Sequence, residues 1–148
     1  MRGYVLDTNA ISLLAPGIET KRLMSGRAGF QSWIREHGES LFLSVITLAE
    51  IQAGIAQLQR KGASRRAADL AHWFEAIVEL YESRVLPLTI VVALETGRLL
   101  DRAIGKGVDA GFEDAAIAAT ASVHDLTVVT RNSRHFEAFG VPFMAPQG

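Results

Sequence analysis

Three carboxylates, Asp7, Glu50 and Asp114, stand where the local pattern of the chain changes. Asp7 follows the short apolar run Tyr4-Val5-Leu6 and therefore closes a strand. Glu50 lies at the start of a helix that succeeds the strand-like Leu41–Val45. Asp114 opens the alanine-rich helical stretch Phe112–Val123, which leads into the β-branched run Leu126–Thr130. In a parallel sheet all three fall at one edge, outside the carboxyl ends of the strands, where ligands gather. Converging carboxylates repel one another, and a divalent cation among them removes that cost. Oxygen-only donors suit Mg2+, with Mn2+ as its natural substitute. The chemistry open to such a site is activation of water and stabilisation of the charge that develops in attack on a phosphodiester.

Structural readings compete with this one. Asp7, Thr8 and Asn9 are all favoured helix N-caps. Thr47 and Glu50 fit the S/T-x-x-E capping box, in which the glutamate only bonds back to the cap residue, and spacing alone favours that role. The basic cluster Arg60, Lys61, Arg65 and Arg66 is either a phosphate contact or, as is commoner, a solvated face.

The elements that must position these residues are legible in the apolar spacing. Ala10–Leu14 reads as a short helix stopped by Pro16-Gly17, and Ile18–Ala28, with Lys21, Arg22 and Arg27, as a polar irregular flap. Gly29–His37 follows as an amphipathic helix with a left-handed stop at Gly38. Leu48, Ile51, Ile55 and Leu58 form the stripe of the helix that carries Glu50, and Gly54 within it implies a close backbone contact. A Ser64-capped helix through Ala67, Phe74, Ile77 and Tyr81 completes a hairpin, with Trp73 beside its stripe. Pro87 makes Val85–Leu88 an edge strand, and Thr89 caps a helix through Leu94, Leu99, Leu100 and Ile104. Ser133–Phe139 is a short helical turn, and Val141–Met144 a last strand. Strands alternating with helices predict a single-domain α/β/α sandwich over residues 1–148, with a mostly parallel sheet of about five strands.

Composition narrows the function classes. The 148 residues are enough for one domain with a real core, and the absence of cysteine removes disulfides, thiolate metal sites and cysteine nucleophiles. Fifteen basic against sixteen acidic residues give a net charge of −1, which offers no global attraction for nucleic acid, so any polyanion has to be held locally. No stretch approaches the roughly 20 apolar residues of a membrane span, and a soluble, cytoplasmic protein is expected.

The runs LDTN at Leu6–Asn9, SVITLAEIQAGI at Ser44–Ile55 and GFEDAAIAATASVHDLTVVTRN at Gly111–Asn132 resemble the VapC-type toxins of the PIN-domain ribonucleases, with the motifs in family order along nearly the whole chain. The resemblance implies that Asp7, Glu50 and Asp114 are metal-binding and catalytic, which favours the metal reading of Glu50 over its capping reading. It implies that Thr8 or Asn9 holds Asp7 in place, and it makes Glu113, Arg131 and Asn132 secondary contacts to the cluster or the substrate. It further implies RNA as substrate, with transfer RNA one expected target, a cognate antitoxin as inhibitor, and a homodimer. One departure stands out. Family members often place a further carboxylate after the T-R pair or three residues later, where this chain has Asn132 and His135. His135 reads as a bystander, and a weakly catalytic, RNA-binding member of the family is the alternative function. A phospho-accepting receiver domain and a dehalogenase-like phosphatase lack their required Asp and Lys positions here.

Overall fold

The computed structural model describes residues 3–17 and 21–146, with side chains in the second segment described from residue 27 onward. Five strands form one wholly parallel sheet: β1 (Tyr4–Leu6), β2 (Leu41–Ser44), β3 (Val85–Leu86), β4 (Thr127–Val129) and β5 (Phe143–Met144), in the order β3-β2-β1-β4-β5. Tyr4 is opposite Leu41 on one side and Thr127 on the other, so β1 is the central strand. Val5, Leu6, Leu43, Val128 and Val129 are fully buried, as strands covered on both faces require. β3 takes the edge, where the missing N–H of Pro87 costs no ladder bond.

Among the described residues the helices are α1 (Thr8–Ile11), α2 (Lys21–His37), α3 (Val45–Arg60), α4 (Ser64–Tyr81), α5 (Ile90–Gly105), α6 (Phe112–His124) and α7 (Ser133–Phe139). One core layer joins α5, α6 and α7 to the sheet through Val92, Leu99, Ile117, Phe136 and Phe139. The other joins α1, α2 and α4 through Ile11, Phe30, Ile77 and Tyr81. In α6 every residue from Ala115 to Ala121 is buried, because short side chains let α5, α7 and the sheet close on all sides of it.

Several local expectations are corrected. The stretch from Lys21 to Ala28 is helical rather than an irregular flap, continuous with Gly29–His37, and Ile18–Thr20 lies outside the described residues. Gly38 begins a 3-10 turn instead of a left-handed stop. The cap of α3 is Ser44, whose Oγ accepts from Ile46 N at 3.1 Å. Thr47 is therefore inside the helix and no capping box with Glu50 forms. Ala63 rather than Ser64 stands at the start of α4, with no side-chain cap bond. In α5 the buried stripe is Val92, Thr96, Leu99 and Ala103, which leaves Leu94 and Ile104 on the outer face at 60% and 64% exposure. The reading by size picked out the large apolar residues, whereas the helix turns a threonine and an alanine inward, and Thr96 satisfies its hydroxyl on Val92 O. Gly54 has no close neighbour either: a Cβ built there meets nothing within 4 Å.

Candidate acidic active site

Asp7 ends β1 and caps α1 at once. Its backbone N–H donates to Val129 O of β4 at 2.9 Å, which extends the central pairing by one residue. Its Oδ1 accepts from Thr8 N at 2.8 Å, and its Oδ2 accepts from Thr130 Oγ1 at 2.7 Å. The side chain is only 2% exposed. Burial pushes its carboxyl up to about 6, the hydrogen bond from Thr130 opposes that rise, and the charges of Asp114 and Glu50 add to it.

Thr8 reaches the second carboxylate. Its hydroxyl donates to Glu50 Oε1 at 2.6 Å and also lies 3.0 Å from Thr47 Oγ1. Glu50 is one turn into α3, and its carboxyl too is raised, by burial first and then by Asp114 and Glu113. The third acid stands in the first turn of α6, where the aligned N–H groups favour a negative charge. Gly111 makes that entry possible with φ 76° and ψ 158°, a conformation essentially reserved to glycine. Gly111→Ala is expected to cost about 1–3 kcal/mol, read as a lower midpoint in urea unfolding.

Asn132 links the first and third acids. Its backbone N–H donates to Thr130 Oγ1 at 2.9 Å, so the single proton of that hydroxyl is free to point at Asp7. Its side-chain Nδ2 donates to Asp114 Oδ2 at 2.9 Å. His135 is not a bystander: its Nδ1 lies 2.6 Å from Asp114 Oδ2 and 2.8 Å from Asn132 Nδ2. One ring nitrogen cannot donate to the carboxylate and accept from the amide together. The shorter contact, to a charged acceptor, assigns the proton to Nδ1 and the bond to Asp114. Spacing alone hid this pairing, because α7 begins at Ser133 and turns the His135 ring back toward the start of α6.

The remaining candidates have distinct places. Asn9 Oδ1 accepts from Arg131 N at 3.0 Å and so braces the turn after β4 rather than Asp7 itself. Arg131 and Glu113 are exposed, Glu113 acting on Glu50 through its charge. Thr130, which motif reading passed over as the last residue of a strand, is the group that holds Asp7. Among the described residues no three acidic or histidine side chains already enclose a single ion. Each of the three acids is tied to protein donors: Asp7 to Thr8 and Thr130, Glu50 to Thr8 again, and Asp114 to Asn132 with His135.

Residues 4–141 match the PIN domain family. The chain belongs to it. A VapC ribonuclease, Y4jK, of Sinorhizobium fredii is 32% identical over 144 residues, 96% of either chain. Toxin FitB of Neisseria gonorrhoeae is 32% identical over 145 residues, again 96% of both. Of solved structures, FitAcB from Neisseria gonorrhoeae superposes on this PIN domain with a TM-score of 0.79, at 31% identity and 97% coverage of each chain. A DNA-bound VapBC from Salmonella typhimurium, at 24% identity and a TM-score of 0.76, shares the fold, with 98% of each chain covered. The five-stranded parallel sheet with helices on both faces is thus that of the PIN domain, and the three acids lie at its switch edge.

Proposed function

We propose that the protein is a metal-dependent endoribonuclease acting as the toxin of a toxin–antitoxin pair, with Asp7, Glu50 and Asp114 as the catalytic and metal-holding residues. One observation carries the reading: acids at the end of β1, in α3 and at the start of α6 meet at the sheet's carboxyl edge, where Thr8 bonds to both Asp7 and Glu50 and Asn132 links Thr130 to Asp114, and burial together with the charge of Asp114 raises the carboxyls of Asp7 and Glu50. The names of the relatives, a VapC ribonuclease and the FitB toxin, support ribonuclease action and an antitoxin partner.

The donor set fits a hard cation, since it offers oxygen ligands only and carries uncompensated negative charge. Asp7, Glu50 and Asp114 would hold Mg2+ or Mn2+, which when bound supplies charge neutralisation and water activation for phosphodiester hydrolysis. The chain's own groups prepare the site. Thr130 and Thr8 fix the two oxygens of Asp7, and Thr8 turns Glu50 toward the same edge. Asn132 and His135 hold Asp114 on the side of α7, in the place where relatives often carry another acid. Arg131 and Arg134, both exposed after β4, are the nearest cations in sequence for the phosphates of the RNA.

The test is cleavage of a mixed RNA pool, transfer RNA included, in Mg2+ or Mn2+, beside Asp7→Asn and Asp114→Asn proteins purified identically, with the ends mapped. Cleavage at defined sites that stops with EDTA and with both substitutions supports the proposal. Equal behaviour of three folded preparations rejects it and leaves an RNA-binding role.

The homodimer implied by the family has a candidate surface. Ile90, Leu94 and Ile104 lie on one outer face of α5 at 81%, 60% and 64% exposure, a stripe that a monomer would leave in water. Leu94→Glu is expected to convert a dimer to monomer in sedimentation equilibrium, and a wild type already monomeric at the same concentration would count against the dimer. A cytoplasmic setting accords with this function, and no helix among the described residues is long and apolar enough to cross a membrane.

A further inference from the structure

Asp114 presents two unequal oxygens. Its Oδ2 accepts from Asn132 Nδ2 at 2.9 Å and from His135 Nδ1 at 2.6 Å, whereas among the described residues none donates to its Oδ1. An ionised carboxylate has about two lone-pair directions on each oxygen, so these two donors fill Oδ2 and leave Oδ1 open. The donors are themselves fixed. Asn132 is the N-cap residue of α7, a position where asparagine normally turns its side chain back to the N–H groups of its own helix. Here it makes no such cap bond and its amide goes to Asp114, while its backbone N–H is held by Thr130 Oγ1. His135 stands in the first turn of α7, and its side chain and that of Asp114 are 27% and 21% exposed, so the contact is sheltered from water. Glu50 is similarly one-sided, with Thr8 Oγ1 on Oε1 and no donor among the described residues on Oε2.

We infer that Asn132 and His135 close the α7 side of Asp114 to metal, so that the site takes one divalent cation and not two. The inference rests on the metal-dependent nuclease reading and deepens it. Two ions that act together on one phosphate lie about 3.5–4 Å apart, a separation that a carboxylate spans by giving one oxygen to each. Asp114 cannot be that bridge. Its second oxygen has no lone pair to offer, and the approach to it is lined by two N–H groups whose positive ends face any incoming cation. An ion that displaced them would leave a sheltered amide and a ring N–H without acceptors. Asp7 is a poor substitute, since Thr8 N and Thr130 Oγ1 hold one oxygen each in a setting only 2% exposed. The oxygens left over, Asp114 Oδ1 and Glu50 Oε2 beside Asp7, make a partial shell that suits a single hard cation whose other positions are water.

The test counts Mn2+ bound to the full chain, from the electron paramagnetic resonance signal of the free aquo ion and independently by calorimetric titration. Wild type is expected to bind one ion per chain up to millimolar free Mn2+, and Asp7→Asn to lose most of that affinity. A double variant, Asn132→Asp with His135→Ala, removes both donors and supplies an acid on the same side, and is expected to bind two. Circular dichroism and thermal unfolding check that it is folded, and the wild-type count stands without it. Two ions on the wild type, both lost in Asp7→Asn, overturn the inference while leaving the nuclease reading intact. One ion on wild type and folded double variant alike overturns it too, since something other than these two side chains then sets the number. An ion kept at full affinity in Asp7→Asn lies elsewhere and also counts against it. One Asp7-dependent ion without RNA cleavage keeps the inference and rejects the nuclease reading, and no bound ion at all rejects both.

Discussion

Asp7→Asn is expected to remove RNA cleavage and, above pH 6, to make the protein harder to unfold. The sign follows from the direction of the shift. In the unfolded chain the carboxyl titrates near its ordinary value of 3.8, and in the folded chain near 6. The folded state therefore binds the proton more tightly, and wild-type stability falls as pH rises from about 4 to about 6 before levelling off. About two units correspond to roughly 3 kcal/mol. Asparagine keeps the shape but can accept only one of the two bonds from Thr8 N and Thr130 Oγ1, which returns about 1 kcal/mol of the gain. The net expectation is about 1–2 kcal/mol more stability for the variant at pH 7.5, and none or a small deficit at pH 4. Urea unfolding at the two pH values measures it. Saturating Mg2+ should close the gap by stabilising the wild type, because a ligand of the native state raises stability by mass action. A variant less stable than wild type at pH 7.5 without metal would mean that Asp7 is a favourable structural cap and not a repelled acid.

Thr130→Val should have the next largest effect. Thr130 is 2% exposed, accepts from Asn132 N and donates to Asp7 Oδ2. Valine matches its volume and does neither. An amide loses its acceptor and a buried carboxylate loses a donor, at a cost of about 2–4 kcal/mol. Since that bond opposes the rise of Asp7, its loss should move the acid limb of the pH–rate profile to higher pH and reduce kcat/KM by about 10- to 100-fold. Thr130→Ser keeps the hydroxyl and should recover most of both. A Thr130→Val enzyme with the wild-type acid limb would leave the hydroxyl a packing group alone.

The parallel sheet, its strand boundaries within a residue or two and its α6–β4 unit were legible because they depend on apolar period and β-branching, which act locally. The three acids were legible as strand-end and helix-start residues. What the sequence concealed was the network between them. Glu50 fits a capping box as written, yet Ser44 takes the cap and so frees Glu50 for Thr8, a choice made by the end of β2 and not by the helix. His135 and Asp114 are 21 positions apart and meet only because α7 folds back beneath α6. Thr130 looked like any strand residue until β1 lay beside it. Leu94 and Ile104 have the spacing of core residues, and only the packing of α5 against α6 through Leu99 and Ala103 turns them outward.

The run of seven buried residues from Ala115 to Ala121 sets how the acidic edge behaves in time. A helical segment covered on every side is protected except toward its ends, so the amides of these seven residues should be among the slowest in the molecule to exchange with solvent deuterium. Asp114 is attached to the first turn of that helix. Its backbone thus directly adjoins this protected segment, which limits how far local motion of the first turn can carry the acid from Asp7. Such a centre cannot be switched off by loosening, and control has to come from something that sits over it.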